Sequence, residues 1–347
     1  MKIPIANVYY LLCYAWRHSH ESGVVDLAEL GRFDQVHDLF GKVLSEGTFR
    51  LLRQGLDRGY VEVSEDVAGV RGRVDVSETV KRGVRRRGRA ACRYGELSYD
   101  VPHNRILRAA LYELLKLEEL APEIRTEVGL AYRRLTDVPL VPFDRGLFRR
   151  LQLDRNRHLY HFLIAVCWLI REGILVDQTT GKSRFRDFRR DEATMWKLFE
   201  AFVTEFYARE GMGFDVKGQG RIPWHAAWSP VAEHLEHLPA MWADVLLESP
   251  DRRIILDAKF YQRALDERFG TQKLRSSNLY QLLAYLRNRQ AARPEGPRHE
   301  GVLLYPVVDS PLAVEVYLEG FRIRARGINL AQDWPLIHRD MLAVLQN

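Results

Sequence analysis

Cysteine is scarce in this sequence and follows no metal-binding or disulfide pattern. Three cysteines occur in 347 residues, Cys13, Cys92 and Cys167, and no two of them form a Cys-x-x-Cys pair. Their odd number and wide spacing exclude a disulfide framework and a structural zinc site. We therefore expect a reducing environment, which indicates a cytoplasmic protein.

Long hydrophobic runs are also absent from the sequence. The apolar start, MKIPIANVYYLLCYAWRHSH, is too short to span a bilayer and lacks the small residues of a signal-peptide cleavage site. It carries bulky Tyr and Trp side chains, which suit a buried first helix. We expect no membrane span and no membrane partner.

No complete nucleotide-binding loop occurs in the sequence. The segment ILVDQTTGKS, residues 174–183, resembles a phosphate-binding loop, but that motif requires glycine where this chain has Val176. We expect that this chain binds no nucleotide itself and that a partner supplies any nucleotide site. The pairs His158–His161 and His234–His237 match no zinc motif.

Positive charge, by contrast, is plentiful and unevenly placed. The net charge is +6 and the isoelectric point is about 9.2, which is compatible with a polyanionic partner. The smaller of two basic clusters lies in SRFRDFRR, residues 183–190. The main stretch, KRGVRRRGRAACR, holds seven cations: Lys81, Arg82, Arg85, Arg86, Arg87, Arg89 and Arg93. It suits DNA phosphates, an acidic protein surface or a solvated loop, and the pattern does not separate these alternatives.

Hydrophobic periodicity divides the chain into two halves. Helical patterns on both sides enclose a segment, about 59–100, in which apolar and polar residues alternate around glycines. We expect a mixed α+β partner-docking domain over residues 1–155, with 59–100 as a β-rich projection. From 156 to 347 the pattern runs helix, strands, helix, strands, which predicts an α/β domain.

One predicted hairpin, ADVLLESPDRRIILDAKFY at residues 243–261, carries charged side chains within two apolar strands. Its centre, Ser-Pro-Asp-Arg, suits a tight turn. If the hairpin is symmetric about this turn, Asp244 lies opposite Asp257, and Lys259 shares the face of Asp257. Facing carboxylates repel each other, and a hard cation such as Mg²⁺ resolves that repulsion. The alternative is a surface hairpin in which Lys259 pairs with both acids.

Two predicted helices supply further polar side chains. In QLLAY, Gln281 and Tyr285 are four residues apart and share a helix face. Gln281 can hydrogen-bond a phosphate or a metal-bound water, and Tyr285 can support it. Glu200 and Glu205 lie on different faces of the helix over 191–210, so we expect at most one of them to approach the strand carboxylates.

The order of these residues resembles the PD-(D/E)xK nuclease fold, in the Gln-x-x-x-Tyr variant of RecB-like nucleases. Nearly the whole chain is similar to the McrC family, the nuclease subunits of McrBC 5-methylcytosine restriction systems. That similarity lies in IPIANVYYLLCYAW, GVRGRVDVSETVKRG, HNRILR, ILDAKFY, GTQKLRSSNLYQLLAYL, GVLLYP and INLAQDWPLIH. The C-terminal domain is therefore expected to have the restriction-endonuclease-like α/β fold.

The resemblance implies an activity and its partners. It implies a type IV restriction endonuclease subunit that requires Mg²⁺, for which Mn²⁺ can substitute, and that cuts double-stranded DNA carrying modified cytosine. It also implies a hexameric McrB-like AAA+ GTPase as the partner, whose GTP hydrolysis this chain stimulates. One active site per chain further suggests that a second nuclease subunit takes part in cutting both strands.

The resemblance also implies roles for individual residues. Asp244, Asp257 and Lys259 are the catalytic set with Gln281 as an accessory, and the two aspartates with the backbone carbonyl of Ala258 are the metal ligands. Accessory roles stay open for Glu200, Glu205 and Tyr285. The contact with the GTPase is assigned to Arg71, Arg73, Asp75, Lys81, Arg82, Arg85, Arg86 and Arg87.

Two other functions fit parts of the sequence. One is a non-catalytic subunit that only activates a partner GTPase, but the complete set of Asp244, Asp257, Lys259 and Gln281 disfavours it. The other is a stand-alone RecB-like DNA repair nuclease, which the long N-terminal half without a catalytic motif disfavours.

Overall fold

The computed structural model describes most of the chain, and its elements alternate between helix and strand. The described residues are 3–16, 33, 35–149, 151–154, 156–176, 183–187, 189, 191–225, 228–261, 266–268, 271–307 and 311–346. Residues 177–182 of the ILVDQTTGKS segment therefore lie outside the described residues.

Helices and strands are numbered here in chain order. The described helices are α1 (Ile5–Ala15), α2 (Val36–Gln54), α3 (Val76–Lys81), α4 (Pro102–Leu115), α5 (Pro122–Arg133), α6 (Arg145–Arg149), α7 (His158–Gly173), α8 (Glu192–Glu210), α9 (Ser276–Ala292) and α10 (Trp334–Leu345), with 3₁₀ turns at Val84–Arg87 and Ala232–His237. The described strands are β1 (Gly59–Ala68), β2 (Arg73–Val74), β3 (Arg89–Ser98), β4 (Ile174–Val176), β5 (Ser183–Phe185), β6 (Asp215–Ile222), β7 (Met241–Glu248), β8 (Arg253–Ala258), β9 (Asp266–Arg268), β10 (Thr271–Lys273), β11 (His299–Val307), β12 (Ala313–Leu318) and β13 (Phe321–Asn329).

The chain forms two compact units whose limits differ from the predicted boundary between 155 and 156. The sheet unit combines Met1–Val36 with Asp187–Asn347, and the helical unit is His37–Arg186. Helix α1 packs on α8, which assigns the start of the chain to the sheet unit. Helix α7 packs on α4, which extends the helical unit past residue 155. Both contacts join segments that are distant in sequence, so local patterns do not reveal them.

The sheet unit is built on a mixed six-stranded sheet, which agrees with the predicted α/β character. Its strand order is β12-β13-β11-β8-β7-β6, with β11 parallel to both β13 and β8 and the remaining pairs antiparallel. Leu246 and Ile255 face Leu282 and Leu286 of α9 in one apolar cluster. Burial of this cluster fixes which face of β7 and β8 meets the helix, because strand side chains alternate.

Helix α1 is buried in the sheet unit, as the apolar start of the sequence predicts. Tyr10 stacks on Trp334 with ring centroids 4.4 Å apart, and the Tyr14 hydroxyl donates a hydrogen bond of 2.8 Å to Glu210 on α8. The Asn7 amide donates to the carbonyls of Leu330 and Gln332. Within the described residues, no helix is both long and apolar enough to cross a membrane.

The helical unit carries a small antiparallel sheet, here called the arm, which comprises residues 59–98. Strands β1 and β3 pair along their whole length from Gly59–Ser98 to Ala68–Arg89, and β2 lies on the other side of β3. The sequence predicts only strands and turns over 59–80 and a loop or hairpin tip for the basic stretch. The structure instead has helix α3, the 3₁₀ turn Val84–Arg87 and the start of β3. The Asp75 carboxylate starts α3 by accepting the Glu78 N–H at 3.0 Å.

Asn104 joins the two ends of the arm. Its buried amide donates hydrogen bonds of 2.9 Å each to the carbonyls of Asp57, just before β1, and Tyr99, just after β3. Its Oδ1 accepts the Tyr160 hydroxyl at 2.8 Å, and the same hydroxyl accepts the Asp57 N–H at 3.0 Å. Burial lowers the pKa of the adjacent His103 to about 4, so this imidazole is neutral at physiological pH.

We predict that Asn104→Ala weakens the helical unit by about 2 kcal/mol, because the carbonyls of two half-buried residues lose their donor and the Tyr160 hydroxyl loses its acceptor. Tyr160→Phe removes one hydroxyl and should cost about 1 kcal/mol. Hydrogen exchange of the core amides of α4 measures both effects. Unchanged exchange in Asn104→Ala would show that these hydrogen bonds do not stabilise the unit.

Candidate active site

The carboxylates of Asp244 on β7 and Asp257 on β8 lie side by side, at the end of the apolar face of the hairpin. The hairpin has the predicted register, since Val245 pairs with Leu256 and Glu248 with Arg253. Asp244 therefore lies next to Asp257, and its Oδ2 accepts the backbone N–H of Ala258 at 2.7 Å. Asp257 is 1% exposed. The antiparallel register thus places two acids at one end of a buried sheet face.

Lys259 links these acids to helix α9. Its Nζ lies 2.7 Å from Asp257 Oδ2 and donates a hydrogen bond of 2.9 Å to Gln281 Oε1. Gln281 Nε2 in turn donates to the Tyr285 hydroxyl at 2.8 Å. Gln281 and Tyr285 lie one turn apart on α9, as the helical spacing predicts. The side chains Asp257, Lys259, Gln281 and Tyr285 therefore form one continuous chain of contacts.

Burial disfavours the charged form of both acids, and repulsion from neighbouring carboxylates adds to it at Asp244. Burial, then the charges of Asp257 and Glu200, raise the pKa of Asp244 to about 7. Burial also raises the pKa of Asp257, although Lys259 opposes the shift. Burial lowers the pKa of Lys259, but the acids outweigh it and the net shift is upward, so the ammonium stays charged. One ammonium is therefore not enough to keep both aspartates ionised, and a further positive charge at the site would favour their ionised forms.

Helix α8 supplies the opposite wall of the site. A cavity of about 840 Å³ is lined by Glu200 and Glu205 as well as by Asp244, Asp257 and Lys259. Of the two glutamates, Glu200 is the one whose charge acts on Asp244. Both glutamates line the cavity, although their five-residue spacing predicts that they lie on different faces of the helix.

Two residues at the cavity were not singled out from the sequence. The Trp196 indole N–H donates to the Ala258 carbonyl at 3.3 Å, so the carbonyl predicted as a metal ligand already has one donor. Gln219 lies between two glycines on β6 and lines the cavity. The Gly-Gln-Gly triplet inside a strand pattern was the available signal for an irregular backbone.

The predicted partner-binding residues lie on the arm of the helical unit, and several have local structural roles. Asp75 caps α3 and pairs with Arg93 at 2.7 Å. Arg82 pairs with Glu78 at 3.0 Å. The guanidinium of Arg71 lies 3.9 Å from the centre of the Tyr94 ring. Arg89 and Arg93 are exposed, and so are all the predicted partner-binding cations: Arg71, Arg73, Lys81, Arg82, Arg85, Arg86 and Arg87.

Among the described residues, no group of three or more His, Cys, Asp and Glu side chains has the arrangement of a metal cluster. A carboxylate pair is nevertheless a sufficient protein ligand set for Mg²⁺, which usually keeps several waters and takes substrate phosphate oxygens. The excess negative charge around Asp244 and Asp257 fits a divalent cation, because a cation would offset the repulsion between them.

The fold and site together define a mixed α/β protein with a carboxylate–lysine site at the end of a sheet. The sequence profile of the family described as "McrBC 5-methylcytosine restriction system component" matches residues 6–306. The chain is also 33% identical over 343 residues to the Escherichia coli (strain K12) protein described as type IV methyl-directed restriction enzyme EcoKMcrBC. That alignment covers 99% of this chain and 97% of the relative.

One solved structure shows the same fold at lower sequence identity. A chain from the refined half-complex of Thermococcus gammatolerans McrB AAA+ hexamers with bound McrC is 18% identical, with a TM-score of 0.55. The match covers 99% of this chain and 76% of that chain. A cryo-EM structure of the McrBC complex from the same organism gives a TM-score of 0.43. The chain belongs to the McrBC 5-methylcytosine restriction system component family, which confirms the resemblance read from its motifs.

We predict that Asp244→Asn stabilises the metal-free protein at high pH. The wild-type carboxyl has a pKa of about 7 in the fold and about 3.8 in the unfolded chain, so its charge penalty is absent near pH 4, grows to about pH 7 and then stays constant. The variant should melt about 3 °C or more above wild type at pH 8, and the difference should shrink toward pH 4.

Thermal melts in EDTA across this pH range measure the effect. Asp251→Asn, in the exposed turn of the same hairpin, is the matched control and should follow wild type. A melting temperature of Asp244→Asn that tracks wild type at every pH would contradict the charge repulsion described here.

Proposed function

We propose that this chain is the Mg²⁺-dependent endonuclease subunit of a GTP-dependent restriction complex that acts on DNA with modified cytosine. The observation that carries the proposal is the placement of Asp244 beside the chain from Asp257 through Lys259 to Gln281. Together with the order of these residues along the chain, it supports the PD-(D/E)xK nuclease fold for the sheet unit. Membership of the McrBC family supports the substrate and the biological setting.

The metal ligands we propose are the carboxylates of Asp244 and Asp257, with the Ala258 carbonyl as a third candidate. A bound Mg²⁺ supplies Lewis-acid stabilisation of the phosphate and lowers the pKa of an attacking water. Mn²⁺ can replace it, since both ions prefer oxygen ligands. Because Trp196 donates to the Ala258 carbonyl, that oxygen has one lone pair left for a metal.

Lys259 exchanges one of its two partners during the proposed reaction: it leaves Asp257 for the phosphate and keeps its contact with Gln281. Its ammonium offsets the Asp257 charge in the structure described here. Once a cation compensates Asp257, the ammonium is available to contact a non-bridging phosphate oxygen, where charge grows during in-line attack. Gln281 Oε1 accepts a second hydrogen bond from the same Nζ, and Gln281 in turn donates to the Tyr285 hydroxyl. We therefore assign Lys259 to charge stabilisation and Gln281 to its positioning.

The proposed partner is an McrB-like AAA+ GTPase hexamer. The relatives described above include a complex of McrB AAA+ hexamers with bound McrC. In this chain the arm presents exposed cations from Arg71 to Arg87 and exposed apolar side chains, among them Val76 and Val80. Such a surface suits a protein contact that combines charge with apolar burial. We propose that the arm binds the GTPase and stimulates its hydrolysis, and that a second nuclease subunit takes part in cutting both strands.

We predict that Asp257→Asn and Lys259→Met each lower DNA cleavage by about 10²–10³-fold or more, because the first removes a charged ligand of the proposed metal and the second removes the ammonium that stabilises the reacting phosphate. Both variants should still stimulate GTP hydrolysis by the partner, since they leave the arm unchanged. Cleavage of methylcytosine-containing plasmid, with Mg²⁺, GTP and the partner GTPase, measures the first effect, and phosphate release measures the second.

The controls distinguish the rival functions. Asp251→Asn, in the turn of the same hairpin, should cleave like wild type, and unmethylated plasmid should remain intact. Cleavage by the chain without the GTPase would favour a stand-alone repair nuclease. Stimulation of GTP hydrolysis without cleavage by the wild type would favour a non-catalytic activator.

A further inference from the structure

Strand β6 is irregular directly beside the candidate active site. Its ladder with β7 has the same register on both sides, with Gly218 opposite Val245 and Gly220 opposite Ala243. That register places Gln219 opposite Asp244, but the pair itself is missing from the ladder. Gln219, Asp244 and Asp257 consequently lie in a row across β6, β7 and β8.

The irregularity comes from the backbone of Gln219. Its φ is +47°, in the left-handed region that favours glycine. The other non-glycine residues with positive φ in the described part of the chain are Met212, in the loop before β6, and Glu319, in the turn between β12 and β13. Gln219 is thus a strained residue inside a strand, and strain of this kind concentrates at functional sites.

Gly218 and Gly220, on either side of Gln219, lie where a larger residue would collide with a neighbouring side chain. A Cβ at position 218 would lie 2.5 Å from Thr204 Cγ2 on α8, and one at position 220 would lie 2.2 Å from Leu246 Cδ1. Both distances are far below a normal carbon contact. Gly218 therefore lets the strand lie close to α8, Gly220 leaves room for Leu246 of β7, and Gln219 is the residue of the triplet with a side chain at the cavity.

That side chain reaches the helix carboxylate nearest to the site. Gln219 Nε2 lies 3.5 Å from Glu200 Oε1, at the long end of a hydrogen bond. Glu200 lines the same cavity as Asp244 and Asp257, and its charge acts on Asp244. A glutamate on a helix has several rotatable bonds, so a hydrogen bond from the Gln219 amide restricts where its carboxylate points.

We propose that Gln219 is a positioning residue that holds the Glu200 carboxylate on the cavity side of α8, where its charge acts together with the proposed ligands Asp244 and Asp257 on a divalent cation. The strained backbone places the amide near Glu200, and Gly218 lets β6 approach α8. This inference deepens the proposed function and rests on its metal site.

Two substitutions separate the side chain from the backbone. Gln219→Ala removes the amide and keeps a strained residue, whereas Gln219→Gly removes both the amide and the strain. Each should weaken Mn²⁺ binding by about 10-fold, the usual size of a lost supporting contact to a metal ligand. Gln219→Gly alone should also raise the melting temperature of the metal-free protein, by about 2–4 °C.

The measurement is titration of the full chain with Mn²⁺ alone, followed by electron paramagnetic resonance of the free ion, with thermal melts in EDTA. Glu319→Gly is the matched control, because it relieves a positive φ away from the cavity and should leave Mn²⁺ binding unchanged. In a Glu200→Gln background, Gln219→Ala should have no further effect on Mn²⁺ binding, since the two residues act through the same carboxylate.

Two results would overturn the inference. One is wild-type Mn²⁺ affinity in both Gln219 variants, and the other is a Gln219→Ala effect that persists in full in the Glu200→Gln background. Failure of the proposed function has a different signature, because the wild type itself would then bind no Mn²⁺ at this site.

Discussion

The site depends on two adjacent carboxylates, Asp257 buried and Asp244 half-buried, beside one ammonium group. They lie on neighbouring strands, where burial raises the pKa of both and repulsion from Asp257 and Glu200 adds to the shift of Asp244, while Lys259 compensates part of the charge. Leaving like charges together in a sheet destabilises the fold. The protein keeps them there with rigid support: backbone N–H of Ala258 for Asp244, and Gln281 for Lys259. Such a pair of supported carboxylates suits the binding of a divalent cation, on which the proposed cleavage reaction rests.

The sheet makes that arrangement precise. Strand β8 is central, antiparallel to β7 and parallel to β11, and the Lys259 N–H donates to the Leu304 carbonyl at 2.8 Å. The backbone on both sides of Ala258 is therefore fixed by β7 and β11. Groups held on paired strands move less than groups on loops, so the charges can be placed within the tolerance that catalysis needs. Trp196 on α8 adds a contact to the same segment from the other face.

The sequence predicts the parts of the site that depend on short-range geometry. The register of the hairpin follows from its Ser-Pro-Asp-Arg centre, and the pairing of Gln281 with Tyr285 follows from helical spacing. Features that depend on contacts between segments distant in sequence cannot be predicted from a local pattern. The position of α1 in the sheet unit is one case, and the pairing of β6 with β7, which places Gln219 opposite Asp244, is another. Helix α3 was missed for a local reason, because its Asp75 cap interrupts an alternating pattern.

The most direct test of the central claim is the location of Mn²⁺ in crystals of the full chain, by anomalous diffraction. The account predicts a peak bound by the carboxylates of both Asp244 and Asp257, with Lys259 Nζ displaced from Asp257 and still close to Gln281. A crystal soaked in Mn²⁺ that shows no peak at these carboxylates, with the Lys259–Asp257 ion pair intact, would contradict it. The hairpin would then be a closed, structural ion pair and not a metal site.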